Sequence, residues 1–180
     1  MKLSANLVPL SLWGFNARNM PKEDWSKIKI QARKESKYHC VLCKKDMCEN
    51  LYDLHTHEFW EYDEENHVAT IIKIGTVCID CHDIIHLGRT FAVNKGEKGM
   101  EKIQKLNKHF ITVNGLSPSP NALQEERTRA MRDWRRRNLI KWTQNLSILR
   151  QYGVDEPMLD DEQKTSIRND VLEKILETKK

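Results

Sequence analysis

Residues 78–86 read Cys-Ile-Asp-Cys-His-Asp-Ile-Ile-His, so a Cys-x-x-Cys pair leads directly into two histidines four positions apart. A further Cys-x-x-Cys pair, Cys40 and Cys43, lies towards the N-terminus. Zinc binds four sulfur ligands tetrahedrally, and a Cys-x-x-Cys turn brings two thiolates to one ion. The four cysteines, Cys40, Cys43, Cys78 and Cys81, therefore predict a structural zinc site.

A disulfide framework is the alternative use of these cysteines. It would require a secreted protein, and the first residues of the chain lack the long apolar stretch of a signal peptide. Five cysteines are also an odd number, which leaves Cys48 without a partner. We therefore expect zinc rather than disulfides, in a cytoplasmic protein.

The composition is that of a soluble chain with a lean core. Of its 180 residues, 39% are hydrophobic and 31% are charged. These values fit one domain, or one small domain with appendages, that a metal site stabilises. No apolar run approaches the roughly 20 residues that cross a bilayer, so no membrane partner is expected. The net charge of +4 is compatible with a polyanionic partner.

The region around the two cysteine pairs predicts a small α+β core. Residues 51–60 and 68–77 carry many β-branched and aromatic side chains on either side of a polar turn, so both are predicted strands. The second cysteine pair then opens a short helix through His82 and His86, which Gly88 is expected to end. The predicted order is strand, strand, helix, with a cysteine pair before the first strand and another at the start of the helix.

Helices are predicted on both sides of this core. The flanking elements are, in order, an extended arm (7–15) and helices at 21–36, 99–113, 121–138 and from Asp160 onward. Residues 140–149 fit either a strand or an extended loop. The chain thus divides into an N-terminal arm and helix (1–37), a zinc-containing core (38–90) and a helical C-terminal extension (91–180).

Four histidines are placed to meet within the core. His55 and His57 alternate along the first strand, so both side chains project towards the helix. His82 and His86 are one helical turn apart and leave the same face of the helix. Neutral imidazole binds divalent metals and, with an ordinary pKa near 6.5, also accepts protons at neutral pH. The remaining histidines are expected on the surface or behind the ligands: His39, His67 and His109.

The sequence resembles the HNH, or His-Me finger, endonucleases over roughly residues 38–88. The resemblance rests on Cys40-x-x-Cys43, on Leu54-His55-Thr56-His57-Glu58 and on Cys78-x-x-Cys81-His82-x-x-x-His86. It implies a ββα-metal core and a metal-dependent DNA endonuclease or nickase, bacterial or phage-encoded. A homodimer would cut both strands, whereas a monomer would nick one.

The family's motif also implies roles for individual residues. By this resemblance His57 is the general base, and His82 and His86 hold a catalytic Mg²⁺, Mn²⁺ or Zn²⁺ ion. His55 is a third ligand or exchanges roles with His57, and Glu58 is an alternative oxygen ligand.

Two departures from the family leave a second function open. Thr56 stands where the family usually has Asp or His, and residues 72–77 lack the family's Asn. The alternative is a catalytically silent zinc module that binds nucleic acid or a partner protein.

An arginine-rich segment at 127–137 supplies the predicted contacts with DNA. Its candidates for the phosphate backbone are Arg129, Arg132, Arg135 and Arg136. The same charges also fit a solvated helix face that pairs with neighbouring acidic residues. Both readings stay open at the level of the sequence.

Overall fold

The computed structural model describes residues 1–12 and 20–155, which form the predicted α+β fold around a small three-stranded sheet. The predicted helix from Asp160 and the end of the predicted arm, residues 13–15, lie outside the described residues. The helices are α1 (Lys22–Glu35), α2 (Ile79–Ile85), α3 (Leu87–Val93), α4 (Gly96–Asn114) and α5 (Ala122–Arg137). The strands are β1 (Leu54–Asp63), β2 (Val68–Cys78) and β3 (Thr143–Asn145).

β1 and β2 form the antiparallel hairpin that carries the strand histidines. The Asp63 carboxylate closes the hairpin turn by accepting hydrogen bonds from the backbone N–H groups of Glu65 and Asn66, at 3.1 and 2.9 Å. Pairing then runs from Asp63 opposite Val68 to Leu54 opposite Cys78. The start of β1 therefore lies beside the end of β2, where α2 begins.

The two faces of the sheet pack against different helices. On one face, Ile28 and Ala32 of α1 pack with Ile71 and Ile74 of β2 and with Leu149 from a 3₁₀ turn at Ser147–Tyr152. The other main cluster joins the cysteine region to α2, α4 and α5, with Cys81, Ile84, Leu106 and Leu123 among its buried members. The short β3 pairs in parallel with the start of β2, which resolves the ambiguous segment 140–149 as a three-residue strand followed by the 3₁₀ turn.

The N-terminal segment packs along α5 and fixes its position. Ala5 receives a hydrogen bond from Arg129 on its carbonyl oxygen, at 3.1 Å, and donates its N–H to Glu126, at 2.6 Å. The Trp134 indole N–H donates to the carbonyl oxygen of Val8, at 3.1 Å. These contacts hold the segment between α5 and the core.

The expectation that Gly88 ends the helix of the histidine pair is wrong. α2 already ends at Ile85, and its C-cap residue His86 has φ −94° and ψ 41°. The chain then resumes at Leu87 as α3, with Gly88 as its second residue. A Cβ atom at Gly88 would lie 3.1 Å from Leu7 Cδ2, so this glycine lets the N-terminal segment approach the helix. Gly88 therefore permits close packing and does not terminate the helix.

Among the described residues, no helix combines the length and apolarity required to cross a membrane.

Candidate metal centres

The first cysteine pair is brought to the second by hydrogen bonds to the edge of β2. The Val41 N–H donates to the carbonyl oxygen of Thr76, at 2.8 Å, and the Thr76 hydroxyl donates to the carbonyl oxygen of His39, at 2.8 Å. Gly75 leaves room for this approach, because a Cβ atom there would lie 3.3 Å from both methyl groups of Val41. The turn that carries Cys40 and Cys43 is thereby docked beside the end of β2.

The four predicted zinc ligands form one cluster. The sulfur atoms of Cys40, Cys43, Cys78 and Cys81 all lie within 4.8 Å of one another, and Cys43 Sγ is 3.6 Å from Cys78 Sγ. In a tetrahedral zinc site with Zn–S bonds near 2.3 Å, the sulfurs lie about 3.8 Å apart. All five cysteines of the chain are free thiols. The cluster therefore fits one structural zinc ion.

Hydrogen bonds among these thiols favour loss of a proton from the cluster. Contacts with Cys43, Cys78 and Cys81 lower the pKa of the Cys40 thiol, whereas the contact with Cys40 raises the pKa of Cys81. Four thiols at this spacing, three of them buried, cannot all ionise unless a cation balances their charge. A divalent metal ion that prefers thiolate ligands would supply this balancing charge.

A second cluster joins β1 to α2. Ring nitrogens of His57, His82 and His86 all lie within 4.8 Å of one another. The ring centroids are 5.6 Å apart for His57 and His82, 5.0 Å for His57 and His86, and 4.6 Å for His82 and His86. The three rings are nearly perpendicular to one another, with interplanar angles of 79–83°. His57 from the strand, His82 from α2 and His86 directly after α2 therefore provide three nitrogen donors for one ion.

Burial favours the uncharged forms of His57 and His82. His57 is 7% exposed, and its pKa is well below the ordinary value because of burial and then because of His86 and His82. Burial also lowers the pKa of His82, to about 3, with smaller contributions from His86, His55 and Arg89. At neutral pH both imidazoles carry a lone pair, which is the form that binds a metal.

Acidification is expected to destabilise the protein through His57 and His82. Both imidazoles protonate near pH 6.5 in the unfolded chain, but their pKa values are lower in the folded chain. Below pH 6.5 the unfolded chain therefore binds more protons, and the free energy of unfolding falls as the pH falls. The loss amounts to at most about 1.4 kcal/mol per pH unit for each histidine, and it is absent above pH 6.5. Urea unfolding at pH 7.5 and 5.5, without added divalent ions, measures it.

The matched comparison for this pH dependence is His57→Gln, which keeps a polar side chain but does not titrate. We expect the stability of this variant to fall less between pH 7.5 and 5.5, by about 1 kcal/mol, because one proton-binding group has been removed. Equal losses in the variant and the parent chain would contradict the buried neutral state of His57.

The other predicted site residues of β1 do not join the three-histidine cluster. The His55 ring stacks on His82, with centroids 4.6 Å apart and planes at 9°, so it lies beside the cluster on the same face of the sheet. Glu58 pairs with Ile74, which packs under α1, so its side chain is on the opposite face from His57. The structure thus brings together His57, His82 and His86, places His55 alongside them and directs Glu58 elsewhere.

The predicted DNA-contacting arginines divide into two groups. Arg129 forms ion pairs with Glu126 and Asp133, both at 2.7 Å, and Arg136 pairs with Glu64 at the hairpin turn, at 2.6 Å. Arg132 and Arg135 are exposed, and neither forms an ion pair with any residue in 1–12 or 20–155. Half of this set is therefore engaged within the protein, and the other half faces solvent.

One contact of the cysteine cluster was not specified by the sequence. His109 of α4 places Nε2 3.2 Å from Cys81 Sγ. The two residues are 28 positions apart, and no local pattern predicts the contact. The sequence predicts only that His109 lies on the surface or behind the ligands.

Comparison with known proteins gave no match to this chain among protein-family models, curated proteins or solved structures.

Proposed function

We propose that this protein is a metal-dependent DNA endonuclease or nickase of the HNH class. The observation that carries the proposal is the convergence of His57, His82 and His86, from a strand and the helix that follows the hairpin, next to the four-cysteine cluster. A purely structural zinc module has no need of this second cluster. The order of hairpin and helix also agrees with the ββα-metal core that the sequence resemblance implies.

In this proposal His57, His82 and His86 hold the divalent ion, and His55 is the general base. A base must take up a proton, and the burial that lowers the pKa of His57 opposes formation of its imidazolium. His55 is less buried than His57 and is held in place by stacking on His82. It is thus better placed to accept a proton from an attacking water. When bound, the ion supplies positive charge for the scissile phosphate and the leaving oxygen.

The donor set favours a transition metal over Mg²⁺. Three imidazole nitrogens suit Zn²⁺, Ni²⁺ or Fe²⁺, whereas Mg²⁺ prefers oxygen ligands. No carboxylate joins the three-histidine cluster among the described residues. We therefore expect a structural Zn²⁺ at the cysteines and, at the histidines, an exchangeable transition-metal ion such as Ni²⁺, Zn²⁺ or the harder Mn²⁺ in preference to Mg²⁺.

The exposed side chains of Arg132 and Arg135 are the proposed contacts with the DNA backbone. Their charges are not neutralised by a described acidic neighbour, in contrast to those of Arg129 and Arg136. Contacts of this kind add affinity that depends on salt and not on sequence.

A silent zinc module that binds nucleic acid or a partner protein is the second candidate. It is favoured by the absence of Asn from residues 72–77 and by the lack of a carboxylate in the histidine cluster. One tightly held zinc per chain would agree with this candidate, whereas a second, exchangeable divalent site would agree with the nuclease.

Nicking of supercoiled plasmid tests the proposal. We expect the zinc-loaded protein to convert supercoiled plasmid to open or linear forms with Mn²⁺ or Ni²⁺, more slowly with Mg²⁺, and not with EDTA. His86→Ala should lower the rate by at least 100-fold, because it removes a ligand of the ion. The control is His67→Asn, since His67 is exposed in the hairpin turn at φ 56°, a conformation that Asn tolerates.

The silent module becomes the better explanation under a different result. That result is a folded, zinc-containing protein that cleaves no duplex, single-stranded or branched DNA with any of these ions. Cleavage that persists unchanged in His86→Ala would point to a contaminating nuclease and would remove the support for this site.

A further inference from the structure

The zinc centre is contacted from outside its own sequence region by α4. Three side chains of this helix, at positions 102, 105 and 109, share one face and meet α2. Lys102 Nζ lies 2.7 Å from Asp83 Oδ2, and Lys105 Nζ lies 2.8 Å from Asp80 Oδ1. His109 Nε2 lies 3.2 Å from Cys81 Sγ. Both ion pairs lie on the face of α4 that carries His109.

The chemistry of the two partners fixes the direction of this hydrogen bond once the thiol has lost its proton. A thiolate has no proton to donate, so the imidazole must supply the N–H of Nε2, the ring atom nearest the sulfur. Cys81 is 0% exposed, so bulk water does not solvate its sulfur.

We propose that His109 is a hydrogen-bond donor to the zinc-bound Cys81 thiolate, which strengthens zinc retention and shields this sulfur from electrophiles. Four thiolates around one Zn²⁺ carry excess negative charge, and an N–H group directed at a sulfur disperses part of it. A sulfur that shares its electron density with a donor is also a weaker nucleophile. Partners that hydrogen-bond to metal ligands commonly change metal affinity by about 10- to 100-fold. His109 is thus a positioning residue of the zinc centre, independent of the proposed nuclease activity.

Zinc competition on the full-length, zinc-loaded chain tests this role. His109→Leu removes the donor, and His109→Gln retains an N–H that can reach the same sulfur. Lys105→Met is the matched control, because it removes a contact between α4 and α2 but leaves the sulfur contact in place. We expect His109→Leu to bind zinc roughly 10-fold or more weakly. We also expect it to release zinc faster when iodoacetamide alkylates the thiolates, the sulfur displacing iodide. His109→Gln should recover most of the affinity, and Lys105→Met should behave as the parent chain.

The proposal is overturned if His109→Leu retains the parent affinity, or if His109→Gln is as weak as His109→Leu, since packing alone would then explain the contact. Cobalt substitution gives a spectroscopic test. Loss of the N–H should move the thiolate-to-cobalt charge-transfer band to lower energy in His109→Leu and not in His109→Gln. An increase in the number of cobalt–thiolate bonds in His109→Leu would show that the imidazole is itself a ligand, which would also overturn the proposal. None of these measurements depends on DNA cleavage.

Discussion

Cys81→Ser is expected to abolish cooperative folding of the core under conditions in which the parent chain is stable. Zinc at a site of this kind contributes roughly 10–16 kcal/mol of apparent binding free energy at neutral pH, whereas a small domain has a net stability of only about 5–15 kcal/mol. Cys40, Cys78 and Cys81 are all buried within the same cluster as Leu54 and Ile84, so loss of the ion also removes the centre of that cluster. Zinc content and denaturant unfolding followed by circular dichroism measure the effect.

Cys48→Ser is the control for this prediction. Cys48 is an exposed free thiol outside the cluster, so its replacement should change the free energy of unfolding by no more than about 0.5 kcal/mol and leave the zinc content intact. Chelation of zinc from the parent chain should reproduce the effect of Cys81→Ser. A chelated chain that unfolds at the parent midpoint would show that the cysteine cluster does not support the fold.

The hairpin, the following helix and the cysteine cluster were predictable because each depends on a local pattern. Alternation along β1 places His55 and His57 on one face, and the spacing of His82 and His86 places both on one side of α2. The Cys-x-x-Cys turns specify which thiols can share an ion. Each of these patterns spans only a few residues, so it can be recognised directly in the sequence.

The division of roles between His55 and His57 could not be predicted from a local sequence pattern. Both side chains face the helix, and only their packing separates them: His57 is nearly enclosed, whereas His55 stacks against the outside of His82. Whether an arginine of α5 is engaged within the protein also depends on residues that are distant in the sequence. Arg136 pairs with Glu64, a residue 72 positions earlier, and Arg137 lies 4.0 Å above the Tyr62 ring. No helical pattern in α5 distinguishes these side chains from Arg132 and Arg135, which face solvent.

Alanine substitutions at His55 and His57 are expected to separate metal binding from catalysis. His57→Ala should lose the second divalent site, because it removes one of the three nitrogen donors. His55→Ala should retain that site with unchanged affinity and yet cleave DNA about 10²- to 10⁴-fold more slowly, the usual contribution of a general base. Titration with Mn²⁺ or Ni²⁺, combined with single-turnover cleavage at saturating metal, measures both quantities in each variant.

Chemical rescue distinguishes this assignment from the reverse one. In His55→Gly the vacated space on the face of His82 is only partly enclosed, so added imidazole should enter and restore cleavage in proportion to its neutral fraction. The same treatment of His57→Gly would have to rebuild a nearly buried ligand position, and rescue there should track metal occupancy instead. If His55→Ala lost the metal while His57→Ala kept it and cleaved slowly, then His57 would be the base and His55 the ligand. Such a result would require His55 to leave its stacked position on His82 when the ion binds. The start of β1, which carries His55, would then have to move on metal binding.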